Sequence, residues 1–181
     1  VELVASLTRH PTLSPISRIQ ALVALGRVRT RRGDPEVWTV LDEALQLALG
    51  TNEVQRLGPV RSARAEAFWL GDDEIRALEE IRAIYDLALR KRHPRVSSEL
   101  IYWCWKLGDL KEIPAGVAQP FALQIEGKYQ EAAKAWHELH CPYEAARALS
   151  ESDDETALKE ALTIFENLGA RPMAQVVSQR M

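Results

Sequence analysis

Disulfides are the first thing this sequence cannot build on. It has two cysteines in 181 residues, Cys104 and Cys141, too few for a disulfide framework. Both read as reduced packing residues, which fits a cytosolic setting. No apolar run approaches the roughly 20 residues that span a bilayer, so no membrane partner is expected and the chain reads as soluble and cytoplasmic. One-sided charge is missing as well. With 23 Lys+Arg against 26 Asp+Glu, the net charge of −3 argues against nucleic acid as the main partner. At 46% apolar content the chain is not disordered. It starts Val1-Glu2-Leu3-Val4, shows no secretory pattern, and ends at Met181 inside a helical pattern. A piece of a longer protein is therefore expected. Glycine is also sparse, at nine residues, and its placement carries the organisation.

What is present is helical periodicity, nearly end to end, with almost no strand alternation. Ile16, Ile19, Leu22, Val23 and Leu25 mark a first helix over Ile16 to Arg32, with Arg27, Arg29, Arg31 and Arg32 near its end, where cations complement the helix dipole. Gly33-Asp34-Pro35 then offers a C-terminal glycine, an N-cap aspartate and a first-turn proline. A second helix runs to about Leu49, with Val37, Trp38, Leu41, Ala44, Leu45 and Ala48 on one face, and a third reaches Leu70. Gly71-Asp72-Asp73 repeats the punctuation before a fourth helix, from about Glu74 to Arg90. Each turn ends one helix and starts the next, which is the pattern of helical hairpins.

The turn glycines Gly33, Gly71 and Gly108 are 38 and 37 residues apart, and Gly127 follows 19 later. The interval shortens because Pro114 sits where a helix is due, so an irregular connection is expected at about 109–117. Helices resume at about Val117 to Glu126, Tyr129 to His140, Tyr143 to Ser150, Asp154 to Asn167 and Arg171 to Arg180. The spacing is somewhat longer than the roughly 34 residues of a tetratricopeptide unit. Gly127, Tyr129 and Ala132, followed by Trp136 and Leu139, resemble the second half of such a repeat, and Leu25-Gly26 resembles the first half. The pattern departs from that consensus at Trp38, Arg64 and Arg76. The expected fold is all-α: a tetratricopeptide-like superhelical array of antiparallel helix hairpins with about ten helices, forming one domain over 1–181.

Four segments carry a further resemblance: Tyr102-Trp103-Cys104-Trp105-Lys106-Leu107-Gly108-Asp109-Leu110, Pro120-Phe121-Ala122-Leu123-Gln124, Cys141-Pro142-Tyr143-Glu144-Ala145-Ala146 and Leu168-Gly169-Ala170-Arg171-Pro172. Together they look like the repeat region of large bacterial signalling ATPases of the LuxR type. The resemblance spans roughly Ile19 to Met181. It implies a sensor or oligomerisation arm between an ATPase region and a DNA-binding helix-turn-helix, and hence a role in transcription regulation.

Catalytic and cofactor patterns are missing. Gly127-Lys128 lacks the first glycine of a phosphate loop, which is Ala122 here, and continues with Tyr129, so it reads as a turn. His137-Glu138-Leu139-His140 falls one residue short of the zinc-protease spacing. His137 and Cys141 could share a helix face, but the plainer reading is a helix end stopped by Pro142. Arg90-Lys91-Arg92-His93-Pro94-Arg95 reads as a solvated helix terminus ahead of a nucleic-acid patch. Asp72-Asp73 and Asp153-Asp154 begin helices, where anions belong. No enzyme, cofactor or metal site is expected.

What remains is a surface. In tetratricopeptide arrays the first helix of each pair lines a concave groove. Counting back from the turn glycines places Gln20, Arg27 and Arg31 there, then Arg61, Phe68 and Trp69, then Tyr102, Trp105 and Lys106, and last Phe121 and Gln124. Arginines beside aromatics suit an acidic peptide or a peptide carboxylate, while Trp103 and Trp136 are assigned to the core. The charge split agrees in direction: Val1 to Val96 holds 15 basic against 13 acidic residues, and Ser97 to Met181 holds 8 against 13. The expected function is a non-catalytic interaction and regulatory module of a bacterial regulator. It would bind a protein, a peptide or an effector in its groove, contact neighbouring domains of its own chain, and could form a homo-oligomer. The alternatives are a stand-alone tetratricopeptide adaptor and, further off, a solenoid that binds nucleic acid.

Overall fold

The structure, a computed structural model, describes residues 5–6, 13–91 and 93–181, without the Arg95 side chain. It is all-helical, with no strand among the described residues. The helices are α1 Pro15–Arg32, α2 Val37–Leu49, α3 Val54–Leu70, α4 Glu74–Arg90, α5 Pro94–Lys106, α6 Gln119–Ile125, α7 Tyr129–Glu138, α8 Pro142–Leu149, α9 Glu155–Leu168 and α10 Arg171–Arg180. Among the described residues no helix is long and apolar enough to cross a membrane. The chain forms two compact units. The first ends at Ile113 and lacks residues 31–33, which group with Pro114–Met181 in the second. The sequence pattern predicts one domain over 1–181, and its helices group into these two compact units. Their boundary falls in the irregular stretch, where no helix offers a face to continue the stacking.

In the first unit α2 packs on α3, α3 on α4 and α4 on α5, and α3 also lies against α5. Two glycines set how closely these helices approach. A Cβ on Gly26 would stand 2.3 Å from Leu41 Cδ2, and one on Gly58 would stand 2.2 Å from Val96 Cγ1. The helices touch at positions with no side chain, so a methyl there has no room. Gly58→Ala should lower stability by about 1–3 kcal/mol through overpacking, despite about 1 kcal/mol of gained helix propensity. Thermal unfolding of the single variants and of Gly58→Ala with Val96→Ala checks this. The double variant should be more stable than the sum of the single effects, because the second change removes the clash.

Several boundaries differ from expectation for local reasons. Asp34 is not the N-cap of α2. Pro35 and Glu36 form a turn, Glu36 takes the cap position without a side-chain hydrogen bond, and the Asp34 amide donates to the Arg29 carbonyl at 2.9 Å. At the second turn the left-handed residue is Asp72 (φ 59) and not Gly71. Asp73 is a true N-cap, accepting from the Arg76 amide at 3.0 Å. Gly33, Gly108 and Gly127 all have φ above 70°, which glycine adopts without strain. Helix α7 stops at Glu138, and His140 turns left-handed (φ 57). Pro142 therefore opens α8 from its first turn rather than closing α7, and His137 and Cys141 share no helix.

The second unit packs α6 on α7, α7 on α8, α8 on α9 and α9 on α10. Its core includes Trp136, Tyr143 and Phe165, with the Tyr143 and Phe165 rings edge-on at 5.3 Å.

Candidate functional site

Three of the helices in the first unit surround one cavity of about 480 Å³. Helix α1 contributes Ile19, Gln20, Val23, Ala24 and Arg27, which recur at helical spacing and so share one face. Helix α3 supplies Gln55, Arg56 and Pro59, and the start of α5 supplies His93, Val96 and Glu99. The cavity thus has an apolar wall beside two guanidinium groups, an imidazole and a carboxylate. Arg27 Nη2 donates to Glu99 Oε1 at 2.5 Å, which links α1 to α5. Pro59, inside α3, has no N–H to return to the Gln55 carbonyl, so this wall carries a backbone oxygen without its helical partner.

Three nitrogens on this cavity, Arg27 Nε, Arg56 Nε and His93 Nδ1, are buried and have no hydrogen-bond partner. Arg56 Nε forms an ion pair with Glu53 Oε2 at 3.5 Å, long for a hydrogen bond. Buried guanidinium donors are nearly always satisfied in folded proteins, which sets Arg27 Nε apart among these residues. Another cavity of about 470 Å³, in the second unit, is lined by residues of α7, α8 and α9 that include Lys134, His137 and Glu160. It has no comparable set of orphaned nitrogens among the described residues.

Of the expected groove residues, Gln20 and Arg27 line the first cavity and the others are placed elsewhere. Arg61 takes part in an interhelical ion pair. Its Nη1 donates to Glu80 Oε2 of α4 at 2.7 Å, because α4 brings a buried carboxylate within reach. Tyr102 is fully buried and cannot line an open groove. It belongs to a run from Leu100 to Cys104 that is buried all around the helix, so counting from one turn could not give it a face. Trp105 sits against Tyr102, with ring centroids 5.8 Å apart. Trp69 packs edge-on against Trp103 at 5.9 Å, and Lys106 Nζ lies 5.0 Å from the Trp69 ring. Phe68 stacks on Trp38 at 4.2 Å.

In the second unit, Arg31 meets Glu144 at 2.8 Å and lies 3.8 Å from the Tyr143 ring centroid. Burial raises the Glu144 pKa, but the charges of Arg31 and Arg147 outweigh it and hold the carboxyl below its usual value. Gln124 is also corrected. It is fully buried, accepts from Trp136 Nε1 at 2.8 Å and donates to Glu151 at 3.3 Å, which satisfies its amide inside the unit. Phe121 completes that cluster, edge-on to Trp136 at 4.8 Å. Trp103 and Trp136 are core residues, as their positions predict.

The basic run divides by position. Arg90 ends α4, Lys91 caps it with its amide on the Leu87 carbonyl, and His93 faces the cavity. Arg92 and the Arg95 side chain lie outside the described residues. His93 and Arg56 are the cavity residues that sequence reasoning missed. They come from a helix start and a first turn, and only packing brings them beside Arg27.

Among the described residues no group of three or more His, Cys, Asp or Glu is arranged to hold a metal ion. Neither cysteine is bridged. Burial, reinforced by the nearby charge of Asp109, pushes the Cys104 thiol up to about 12 from an ordinary 9.0. The unfolded chain therefore ionises this thiol first. The stabilisation is fully present below about pH 9 and is lost as pH rises toward about 12, with a slope of at most about 1.4 kcal/mol per pH unit. Urea midpoints taken across this range should fall more steeply for the native sequence than for Cys104→Ala. An aromatic disulfide reagent at neutral pH should modify Cys141 and spare Cys104 until the first unit unfolds.

Comparison with known proteins places no relative beside this chain: no protein-family model, no curated protein and no solved structure matches it.

Proposed function

We propose that the chain is a non-catalytic binding module that holds a peptide, a protein or an effector against α1, α3 and α5. The observation that carries this reading is the cavity itself. It is lined by α1, α3 and α5, which bring Arg27, Arg56, His93 and Glu99 around one space beside an apolar wall. A site of this volume falls within the roughly 300–1,000 Å³ that suits small ligands or anchoring side chains. The resemblance in its repeat-like segments supports a regulatory arm of a bacterial LuxR-type signalling protein working in the cytoplasm. There, an occupant that prefers one arrangement of neighbouring domains, or one oligomeric state, would shift the population toward it.

A random-peptide library panned against the protein tests the groove. Ala24 is exposed on α1 and faces the cavity, so Ala24→Trp fills the site without entering the core. Enriched peptides should bind the native sequence and lose at least about tenfold in affinity on Ala24→Trp, or about 1.4 kcal/mol. Peptides that bind both proteins alike would overturn the groove reading.

A further inference from the structure

We infer that the α7/α8/α9 groove of the second unit docks an amphipathic helix of a partner protein, with acidic side chains along α7 and basic ones along α9. This site is separate from the cavity proposed above and does not depend on it. It lies between the second helices of two hairpins, whereas the sequence places its groove residues on first helices. The floor is apolar: Ala133 of α7, Ala145 and Leu149 of α8, and Ala157 and Ile164 of α9. The rims are polar and exposed, with Lys134 and His137 on α7 and Glu160 on α9.

The floor selects the backbone form of the occupant. An extended peptide laid on it would leave its own amides and carbonyls without partners, because helical walls have none to give. A helix satisfies its backbone internally. The α7 wall recurs at helical spacing from position 130 to 137, about 10 Å, which receives two turns of such a helix.

The rims select the charges. Among the described residues the Lys134 and Glu160 side chains have no partner, and Lys159, beside Glu160, is taken up by Glu155 at 2.6 Å. Asp154 adds a second carboxylate at the α9 end of the groove, although it also caps the Ala157 amide at 2.8 Å. Glu131 and Glu138 stand one turn from Lys134, outside the groove lining, and weaken the pull of the α7 rim on an anion. The α9 rim therefore makes the stronger contact, with a cation of the partner. The balance over residues 114–181, 6 Lys+Arg against 10 Asp+Glu, acts in the same direction.

The probe is a stapled helical peptide of about 18 residues, with a Leu/Ala stripe, Glu along one flank and Lys along the other. Fluorescence anisotropy should show saturable binding to the full chain. Peptides with Lys on both flanks, or Glu on both, should bind at least about threefold more weakly, the Glu peptide weakest. An unstapled peptide with a central proline should lose at least about tenfold. Glu160→Lys should cost the split-charge peptide about fivefold and Lys134→Glu about twofold, both at exposed positions. Ile164→Asp should lose at least about tenfold while its helical circular dichroism is retained. Ala24→Trp, in the first unit, should change nothing.

Equal binding of the three flank patterns, a Lys-flanked peptide as tight as the split one, equal binding of the proline peptide, or no saturable binding overturns the inference. Binding that Ala24→Trp abolishes and Glu160→Lys leaves intact belongs to the α1/α3/α5 cavity, so this groove falls and that reading stands. A dimer of the protein alone that Glu160→Lys dissociates would give the groove to a second copy and overturn the partner helix.

Discussion

Replacing Glu80 with leucine should destabilise the first unit by about 3–5 kcal/mol, the cost of stripping a buried ion cluster of its anion. Glu80 is 7% exposed on α4 and accepts from Arg64 Nε and Arg61 Nη1 of α3, both at 2.7 Å. Arg64 also donates to Asp42 of α2, so one guanidinium ties three helices together. Burial favours the neutral form of Arg64, but the hydrogen bonds it donates to Glu80 and Asp42 more than compensate and raise its pKa above the ordinary value. Without Glu80, two guanidinium groups lose their buried acceptor, and Asp42, with a side chain 60% exposed, cannot replace it. Glu80→Gln keeps an acceptor oxygen but not the charge and should cost less, about 1.5–3 kcal/mol.

Urea unfolding analysed by linear extrapolation measures both variants. A double-mutant cycle over Arg64 and Glu80 should give a coupling well above the 0.2–1 kcal/mol of an exposed pair such as Lys159 and Glu155. A Glu80→Leu cost below about 1 kcal/mol would refute this account of the cluster.

Trp103→Ala should cost a similar amount, about 3–5 kcal/mol. Trp103 is 1% exposed, and its ring makes edge contacts with Tyr102 at 5.5 Å and Trp69 at 5.9 Å. Truncation removes the largest fully buried side chain among the described residues and leaves a cavity between the Tyr102 and Trp69 rings, both of which packed on it. Trp103→Phe retains most of the apolar contact and should cost less than half as much. Thermal unfolding monitored by circular dichroism, which does not depend on the tryptophan signal, distinguishes the two. A near-neutral Trp103→Ala would mean that α5 is not the core element its burial indicates.

Much of the helical layout was legible because it depends on local chemistry. Helix α4 spans Glu74 to Arg90 and α10 spans Arg171 to Arg180, as the periodicity predicts. Gly33, Gly108 and Gly127 turn where a positive φ is needed. Errors arose where two local signals compete. Asp34 and Asp72 are both capping and turn residues, and a single residue cannot be assigned to one role from its type alone. The site was legible only in part. Gln20 and Arg27 share an α1 face that helical spacing defines, and both line the α1/α3/α5 cavity. Arg61, expected on the groove, and Arg64, a departure from the repeat consensus, are one helical turn apart, and their shared partner Glu80 comes from another helix that their own spacing does not reveal.

The helical periodicity of the apolar residues, together with the glycine spacing, determined on its own that this chain is helical and broken by short turns. These are properties of neighbours within a few residues, and helix periodicity and turn geometry encode them directly. The tertiary structure alone decided the division into two units, the burial of Tyr102 and Gln124, and the meeting of Arg27, Arg56 and His93 on one cavity wall. Those outcomes depend on which faces of distant helices come together. In the first unit the close approaches at Gly26 and Gly58 are part of that packing, and no periodicity within a single helix contains it.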